Sequence, residues 1–175
     1  FHTNSIEILE RPIGSLAPVG SVLLSVRELN RLVLLNPAMN KVLWAWGVKE
    51  LQQQHHATHL ADGTIMAFDN GTARKQSRVV TIQPETLVMR TVVVPELFSH
   101  FRGSVQQLPN GNLLITESDK GHVVELSTGG EVVWEFWNPD VEEANGQAAR
   151  AVVYRMTRHR RTVLNGILQT PGSRL

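Results

Sequence analysis

Short runs of alternating apolar and polar residues, each bounded by turn residues, make up most of the chain before residue 140. Alternation with a period near two over about 4–8 residues predicts β-strands. Four dipeptides that favour tight hairpin turns with positive φ separate the runs: Asp62-Gly63, Asn70-Gly71, Asn110-Gly111 and Gly129-Gly130. The predicted strands are Val22–Val26, Leu32–Leu35, Val42–Trp46, Thr64–Phe68, Arg78–Ile82, Leu87–Val94, Leu113–Thr116, His122–Leu126 and Glu131–Trp137.

The strands form a repeated unit when Gly20, Gly63 and Gly111 are superposed. Each unit contains a turn glycine, an apolar strand, a loop, a second strand, a short turn and a third strand. The strand that precedes each glycine completes a set of four. The spacings of 43 and 48 residues match the ~40–50 residues typical of a propeller blade. A β-sandwich with the same number of strands does not explain a repeat at this period.

We therefore predict an all-β fold, in which residues 1–139 form a partial β-propeller of three four-stranded blades. Because propellers usually close with ~4–8 blades, three blades predict a propeller truncated at its N-terminus. Residues 140–175 are predicted to be a closing C-terminal segment. Within it, Glu142–Thr157 is rich in Ala, Glu and Arg, which favours a short helix or an irregular segment, and the last residues, 168–175, are expected to fray.

Composition narrows the function classes. The formal net charge of +1 gives no general attraction for nucleic acid or for an anionic membrane. The chain has no Cys, which excludes disulfides and Cys-ligated zinc. No apolar run approaches the ~18 residues that a membrane helix needs, and no secretory signal is recognisable in this fragment. We predict no cofactor, no nucleic-acid partner and no membrane insertion, and the oligomeric state stays open.

The seven His residues are the main chemical feature, and the densest group is Gln54-His55-His56-Ala57-Thr58-His59. In a regular strand His55 and His59 share one face and His56 lies on the other. The group has three interpretations: a hydrogen-bonded surface edge, a metal site, or part of a channel mouth. A metal site lacks a third ligand on one face, so no metal is predicted. The segment occupies the innermost strand of its blade, which favours the channel mouth.

Two further segments place polar groups near the same mouth. Arg74 follows Phe68-Asp69-Asn70-Gly71 on the same hairpin, and His2 precedes the innermost strand of the preceding unit. A guanidinium fork and an imidazole together suit a tetrahedral oxyanion such as sulfate or phosphate. Taken separately, the Asp-Asn-Gly sequence is an ordinary turn and the Arg an ordinary solvated cation.

Several short motifs, in this order and at blade spacing, resemble those of the arylsulfotransferase family. They are His2-Thr3-Asn4-Ser5-Ile6; Ser25-Val26-Arg27 with Asn30; Gln54-His55-His56 with Phe68-Asp69-Asn70-Gly71, Arg74 and Ser77-Arg78; Gln106 through Ile115; Val132-Val133-Trp134-Glu135-Phe136; and Val153-Tyr154-Arg155, which resembles a segment after the last blade.

The resemblance implies a six-bladed propeller with a funnel at one mouth and a periplasmic or extracellular location. It implies transfer of a sulfuryl group from an aryl sulfate donor to a phenol acceptor through a transiently sulfated His, without a nucleotide sulfate donor. By motif, the catalytic residues are His2, His56 and Arg74, and the resemblance implies that they hold the sulfuryl oxygens rather than act as the nucleophile. The substrate-binding residues are Arg27, His55, Asn70 and His100.

Two alternatives remain. Counted back from the turn glycine, the third-blade position equivalent to His56 is Ser104, and the nearest His is His100. A non-catalytic binding or scaffolding propeller that has lost the nucleophilic His is therefore the second hypothesis, and a metal-dependent hydrolase the third.

Phe98, Phe101, Trp44 and Trp46 are available to hold phenol rings. All four Trp residues, at matching positions in their units, are expected to pack between blades.

Overall fold

The structure, a computed structural model, describes residues 2–144 and 147–168. It contains three four-stranded antiparallel sheets, each with its strands paired in chain order. The first is β1 (Thr3–Ile8), β2 (Val22–Val26), β3 (Arg31–Asn36) and β4 (Lys41–Trp46). The second is β5 (His55–His59), β6 (Ile65–Asp69), β7 (Arg78–Ile82) and β8 (Met89–Val92). The third is β9 (Ser104–Gln107), β10 (Leu113–Glu117), β11 (His122–Leu126) and β12 (Val132–Trp137). The predicted all-β fold with three four-stranded blades is confirmed.

The turn glycines lie where the repeat predicts them. Gly20, Gly63 and Gly111 precede the second strand of each blade with φ between 83° and 86°, a conformation that costs glycine little. Asn70-Gly71 does not form the expected tight hairpin. Because β6 ends at Asp69 and β7 begins at Arg78, these residues instead open a longer loop, residues 70–77.

The sheets pack face to face through two apolar layers. The layer between the first two blades includes Leu23, Leu34, Ile65, Ala67, Val80 and Ile82. The layer between the second and third includes Met66, Phe68, Val79, Val105, Ile115 and Val124. The innermost strand β5 contacts both β1 and β9. The three innermost strands are therefore neighbours along one axis.

The Trp residues divide into two groups. Trp44 and Trp46, on β4, pack against the first apolar layer, as predicted. Trp134 and Trp137, on β12, are about two fifths exposed and do not pack between the described blades. Instead, the Arg158 and Arg150 guanidinium groups lie over their rings. These two rings lie at the surface of the described third blade.

The C-terminal part differs from the prediction in its secondary structure. It begins with a hairpin, β13 (Val141–Ala144) and β14 (Gln147–Arg150), and a single helix, α1 (Arg161–Leu168), comes later than the predicted one. Between them, residues 151–160 have no regular structure and are here called the strap. Val153 and Met156 of the strap pack on an apolar face of the third blade. The residues expected to fray lie, after Leu168, outside the described residues. No described helix is long and apolar enough to cross a membrane.

Candidate functional site at one end of the innermost strands

The strands β1, β5 and β9 begin at one end of their sheets, here called the site end. Since the sheets are antiparallel, the second strand of each blade ends there. The loop after β2 carries Arg27 and the loop after β6 carries Asn70 and Arg74. His2 precedes β1, and His55 begins β5. The fold thus brings most of the predicted site residues to one end of the molecule.

A β-bulge interrupts β5 directly after His55. His55 pairs with Phe68 and Thr58 pairs with Met66, so two residues of β5 lie opposite one residue of β6. His56, at the bulge, has a left-handed φ of 51°. Because Phe68 and Ile65 point to opposite faces of β6, their partners His55 and His59 also lie on opposite faces. The expectation that these two His residues share a face is wrong.

The bulge also changes which third-blade residue corresponds to which His. Phe68 and Thr116 lie equally far after the turn glycines of their blades, and their partners are His55 and Ser104. Ser104 is therefore the counterpart of His55. A count of residues back from the turn glycine aligns Ser104 with His56 instead, because the sequence does not reveal the extra residue of the bulge. Ser104 is buried, and its hydroxyl donates to Thr116 Oγ1 at 3.0 Å.

The hydrogen bonds of His55 fix its neutral tautomer. Nδ1 lies 2.7 Å from Asn70 Oδ1 and 3.2 Å from the Gln53 carbonyl oxygen. The Asn70 amide nitrogen donates to the carbonyls of Ser99 at 2.8 Å and Arg102 at 2.7 Å, which sets Oδ1 toward His55. Both partners of Nδ1 are acceptors, so Nδ1 carries the proton and Nε2 holds a lone pair. Nε2 makes no hydrogen bond to any described residue.

The environment of His55 holds its imidazole in the neutral form. Burial lowers the pKa of His55, and the Arg27 and His2 charges lower it further, against the hydrogen bond to Asn70, which raises it. Arg27 is buried; Nη2 donates to Gln53 Oε1 at 2.8 Å and Nη1 donates to Glu28. The Arg27 backbone N–H donates to the His2 carbonyl at 2.8 Å. His55 is thus a neutral imidazole beside a fixed guanidinium.

His56 has the opposite tautomer. The Val105 backbone N–H donates to His56 Nδ1 at 3.2 Å, so the neutral ring carries its proton on Nε2. Burial, followed by the Arg155 charge, lowers the pKa of His56 to about 4. At neutral pH the two adjacent rings therefore present different groups, a lone pair on His55 Nε2 and a donor on His56 Nε2.

The low pKa of His56 predicts acid sensitivity. The unfolded chain binds this proton with a pKa near 6.5 and the folded chain with a pKa of about 4. Stability is therefore full above pH 6.5 and declines as the pH falls toward 4, by at most about 3 kcal/mol. His56→Asn is the matched variant because Asn tolerates the left-handed φ. Urea unfolding at pH 7, 6 and 5 should give a steeper decline for wild type; parallel pH profiles of the two proteins contradict this assignment.

Arg74 has a different environment from Arg27. Its Nη2 donates to Asp69 Oδ2 at 2.7 Å, and Arg78 Nε donates to the same oxygen at 2.9 Å. Asp69 is fully buried and also accepts the Gln52 backbone N–H at 2.7 Å. Arg74 therefore closes the base of loop 70–77, and Arg27 is the guanidinium whose charge acts on His55.

A comparison with models of protein families shows which family this chain belongs to. Residues 1–139 match the model described as Arylsulfotransferase (ASST). The chain belongs to the arylsulfotransferase family. A comparison with curated proteins found no sequence match.

Solved structures with a similar fold were also found. Virginiamycin B lyase from Staphylococcus aureus has a TM-score of 0.55 and 15% identity over 79% of this chain and 42% of its own. A streptogramin B lyase has a TM-score of 0.58 and 14% identity over 79% of this chain and 41% of its own. This arylsulfotransferase-family chain thus spans about two fifths of their length. At this identity the likeness shows the β-propeller-like fold alone.

The predicted residue His100 lies on a loop that this arylsulfotransferase-family chain holds tightly. Its backbone N–H donates to Asp119 Oδ2 at 2.6 Å, and its ring lies edge-on to Phe98 and Phe101, with centroids 6.1 and 4.3 Å away. The neighbouring carbonyls of Ser99 and Arg102 are those that orient Asn70. His100 thus marks the loop that positions Asn70.

Two contributors were missed in the sequence. Gln53 binds Arg27 through its side chain and His55 through its carbonyl, and nothing in the motif pattern assigned it a role. Arg155 acts on the His56 pKa from the strap. Its only sequence signal was membership of the Val153-Tyr154-Arg155 motif, which carried no function there.

Proposed function

We propose that the protein transfers a sulfuryl group from an aryl sulfate donor to a phenol acceptor, with His55 as the transient carrier. The observation that carries this proposal is the fixed Nδ1–H tautomer of His55, which leaves the Nε2 lone pair available beside Arg27. A neutral imidazole nitrogen is a nucleophile, and a guanidinium binds the oxygens of a sulfate. Relative to the motif assignment, the proposal makes His55, which was assigned there to substrate binding, the sulfated residue, keeps His56 as a supporting residue and uses Arg27 in place of Arg74.

In the first half-reaction the Nε2 lone pair attacks the sulfur atom, and the bond between sulfur and the aryl oxygen breaks. The aryl oxygen leaves with the bonding pair as phenolate and takes a proton from solvent. The sulfated imidazole keeps its Nδ1 proton and carries a positive charge. Asn70 Oδ1 and the Gln53 carbonyl accept from that nitrogen and stabilise the charge. A preorganised donor such as Arg27 typically contributes about 10²–10³ in rate.

In the second half-reaction the oxygen of an acceptor phenol attacks the same sulfur. The nitrogen–sulfur bond breaks, its electron pair returns to Nε2, and the phenol proton goes to solvent. The sum is the exchange of one sulfuryl group between two phenols. Because the first product leaves before the acceptor reacts, the kinetics are ping-pong.

The rings near the site support a phenolic substrate class. Phe98 and Phe101 lie on the loop before β9, and Phe101 is 59% exposed. The Asn70 side chain anchors this loop at the site end through Ser99 and Arg102. An aromatic side chain held near a nucleophile provides an apolar surface for a phenol ring.

The second candidate function is a non-catalytic binding propeller. It is favoured by Ser104, because the third blade has a hydrogen-bonded hydroxyl where the second blade has an imidazole. Against it, His55 supplies an imidazole at the site end in addition to His2 and His56. The two candidates differ in outcome: a binding propeller retains aryl sulfate unchanged.

The test is an exchange assay with the purified protein, 4-nitrophenyl sulfate as donor and phenol as acceptor. We expect nitrophenolate release that depends on phenol, formation of phenyl sulfate in equal amount, and parallel lines in double-reciprocal plots. Binding of the donor without release, with or without phenol, overturns the transferase proposal and leaves the binding propeller.

A further inference from the structure

Hydrogen bonds on both sides of Arg155 fix its backbone at one position along the third blade. On one side, the Ser118 hydroxyl donates to the Val153 carbonyl at 2.6 Å, and the Val153 N–H donates to the Ser118 carbonyl at 3.2 Å. On the other side, the Met156 N–H donates to Thr116 Oγ1 at 3.1 Å. Arg155 lies between these two anchors.

A third anchor fixes the direction of the strap. The Arg158 N–H donates to Gln106 Oε1 at 2.8 Å, and Gln106 Nε2 donates back to the Arg158 carbonyl at 3.0 Å. The strap therefore runs from the site end of the third blade along β10 and β9. Arg155 lies in the part of the strap nearest the site end.

At this position the third blade has a Ser where the second blade has a His. Thr116, which binds the strap, pairs with Ser104, the counterpart of His55. The adjacent residue Val105 is bonded through its N–H to His56. The strap thus brings the backbone of Arg155 alongside the strands that carry Ser104, the residue that stands where the second blade has His55.

The Arg155 side chain has no other evident role. It is exposed and makes no hydrogen bond or ion pair with the described residues 2–144 and 147–168. By contrast, Arg158 on the same strap pairs with Glu125. The Arg155 charge is one cause of the low pKa of His56, in keeping with the strap anchors on Ser118 and Thr116 beside the strand that is bonded to His56.

We propose that Arg155 and the His56 Nε2–H together bind the sulfate oxygens of the donor, opposite Arg27. Both groups are donors without acceptor atoms at neutral pH, and such a pair is complementary to an anion. The guanidinium fork binds two oxygens at once. This inference deepens the proposed function, on which it rests, by adding a substrate-contacting residue that lies outside the blades.

The first test measures binding without turnover. Inorganic sulfate is titrated into wild type, Arg155→Met and Arg160→Met at constant ionic strength with chloride, and the His Cε1–H resonances are followed by NMR. Arg160 is the matched control because it is an exposed cation on the same strap. We expect Arg155→Met to weaken sulfate binding about tenfold and Arg160→Met to leave it unchanged. Equal affinity in all three proteins overturns the inference.

The second measurement separates contact from folding. Without sulfate, Arg155→Met should raise the pKa of His56 above about 4 because a nearby positive charge is lost, whereas Arg160→Met should not. Arg155→Lys should restore the low pKa but only part of the sulfate affinity, since Lys lacks the fork. A His56 pKa that is identical in Arg155→Met and wild type contradicts the proximity on which the inference depends.

Turnover distinguishes failure of this inference from failure of the proposed function. If wild type transfers sulfate and Arg155→Met equals Arg160→Met in kcat/KM, Arg155 does not contact the donor and the inference fails alone. If Arg155 governs sulfate binding but wild type releases no nitrophenolate, the anion site stands and the transferase proposal fails.

Discussion

We expect His55→Gln to lower the exchange of sulfate between 4-nitrophenyl sulfate and phenol at least about a thousandfold, because the substitution removes the attacking nitrogen. The Gln side chain is polar and of similar size, and its amide still reaches toward Asn70 and the Gln53 carbonyl. The fold should therefore persist, which thermal unfolding of the variant checks. The measurement is nitrophenolate release at saturating phenol.

His56→Asn is the matched control for this prediction. It removes an adjacent imidazole of opposite tautomer, whose role is to donate from Nε2. Its expected loss is about 10²–10³, as for one preorganised donor. After a brief reaction with donor alone and an alkaline quench, wild type and His56→Asn should both carry a sulfuryl group on the peptide that contains His55. A sulfated His56 in the His55→Gln protein would reverse the two roles.

The fold was predictable from sequence because each blade is defined by local rules. Alternating apolar residues gave strand positions, and Gly63 and Gly111 marked equivalent turns with positive φ. Where chemistry competes with a local rule, the prediction failed. Asn70-Gly71 resembles a hairpin turn, yet the Asn70 amide is engaged by His55 and by two carbonyls of another loop. Long-range hydrogen bonds of this kind leave no local signal.

The site was predictable as a region but not in its roles. The motifs selected His2, Arg27, His55 and Asn70, which the fold brings to one end. They could not show that Asp69 pairs with Arg74, because that contact depends on loop closure. They also could not show the bulge at His56, since an extra residue is recognisable only from strand pairing. The strap positions Arg155 through hydrogen bonds of its neighbours Val153 and Met156 to segments far away in sequence.

Asn70 is the residue on which the tautomer of His55 and the position of the Phe98–Phe101 loop both depend. Asn70→Leu removes both functions at similar volume. It removes the donor of the Arg102 carbonyl, leaves the Ser99 carbonyl with only the Ser77 hydroxyl at 3.4 Å, and removes one acceptor from His55 Nδ1. A buried carbonyl left without a partner costs about 1–3 kcal/mol, so urea unfolding should show a loss of about that size. The kcat/KM for 4-nitrophenyl sulfate should fall about a hundredfold.

Asn70→Asp separates the two functions. The carboxylate still accepts from His55 Nδ1, but it cannot donate to Ser99 and Arg102, so stability should fall almost as far as in Asn70→Leu. A negative charge beside His55 raises its pKa relative to wild type. Because His55 attacks only when neutral, the acid limb of the kcat/KM profile should move to higher pH, while activity at pH 8 exceeds that of Asn70→Leu. If the two variants have the same acid limb and the same activity at pH 8, Asn70 acts only as a loop anchor. In that case the Gln53 carbonyl alone would fix the tautomer.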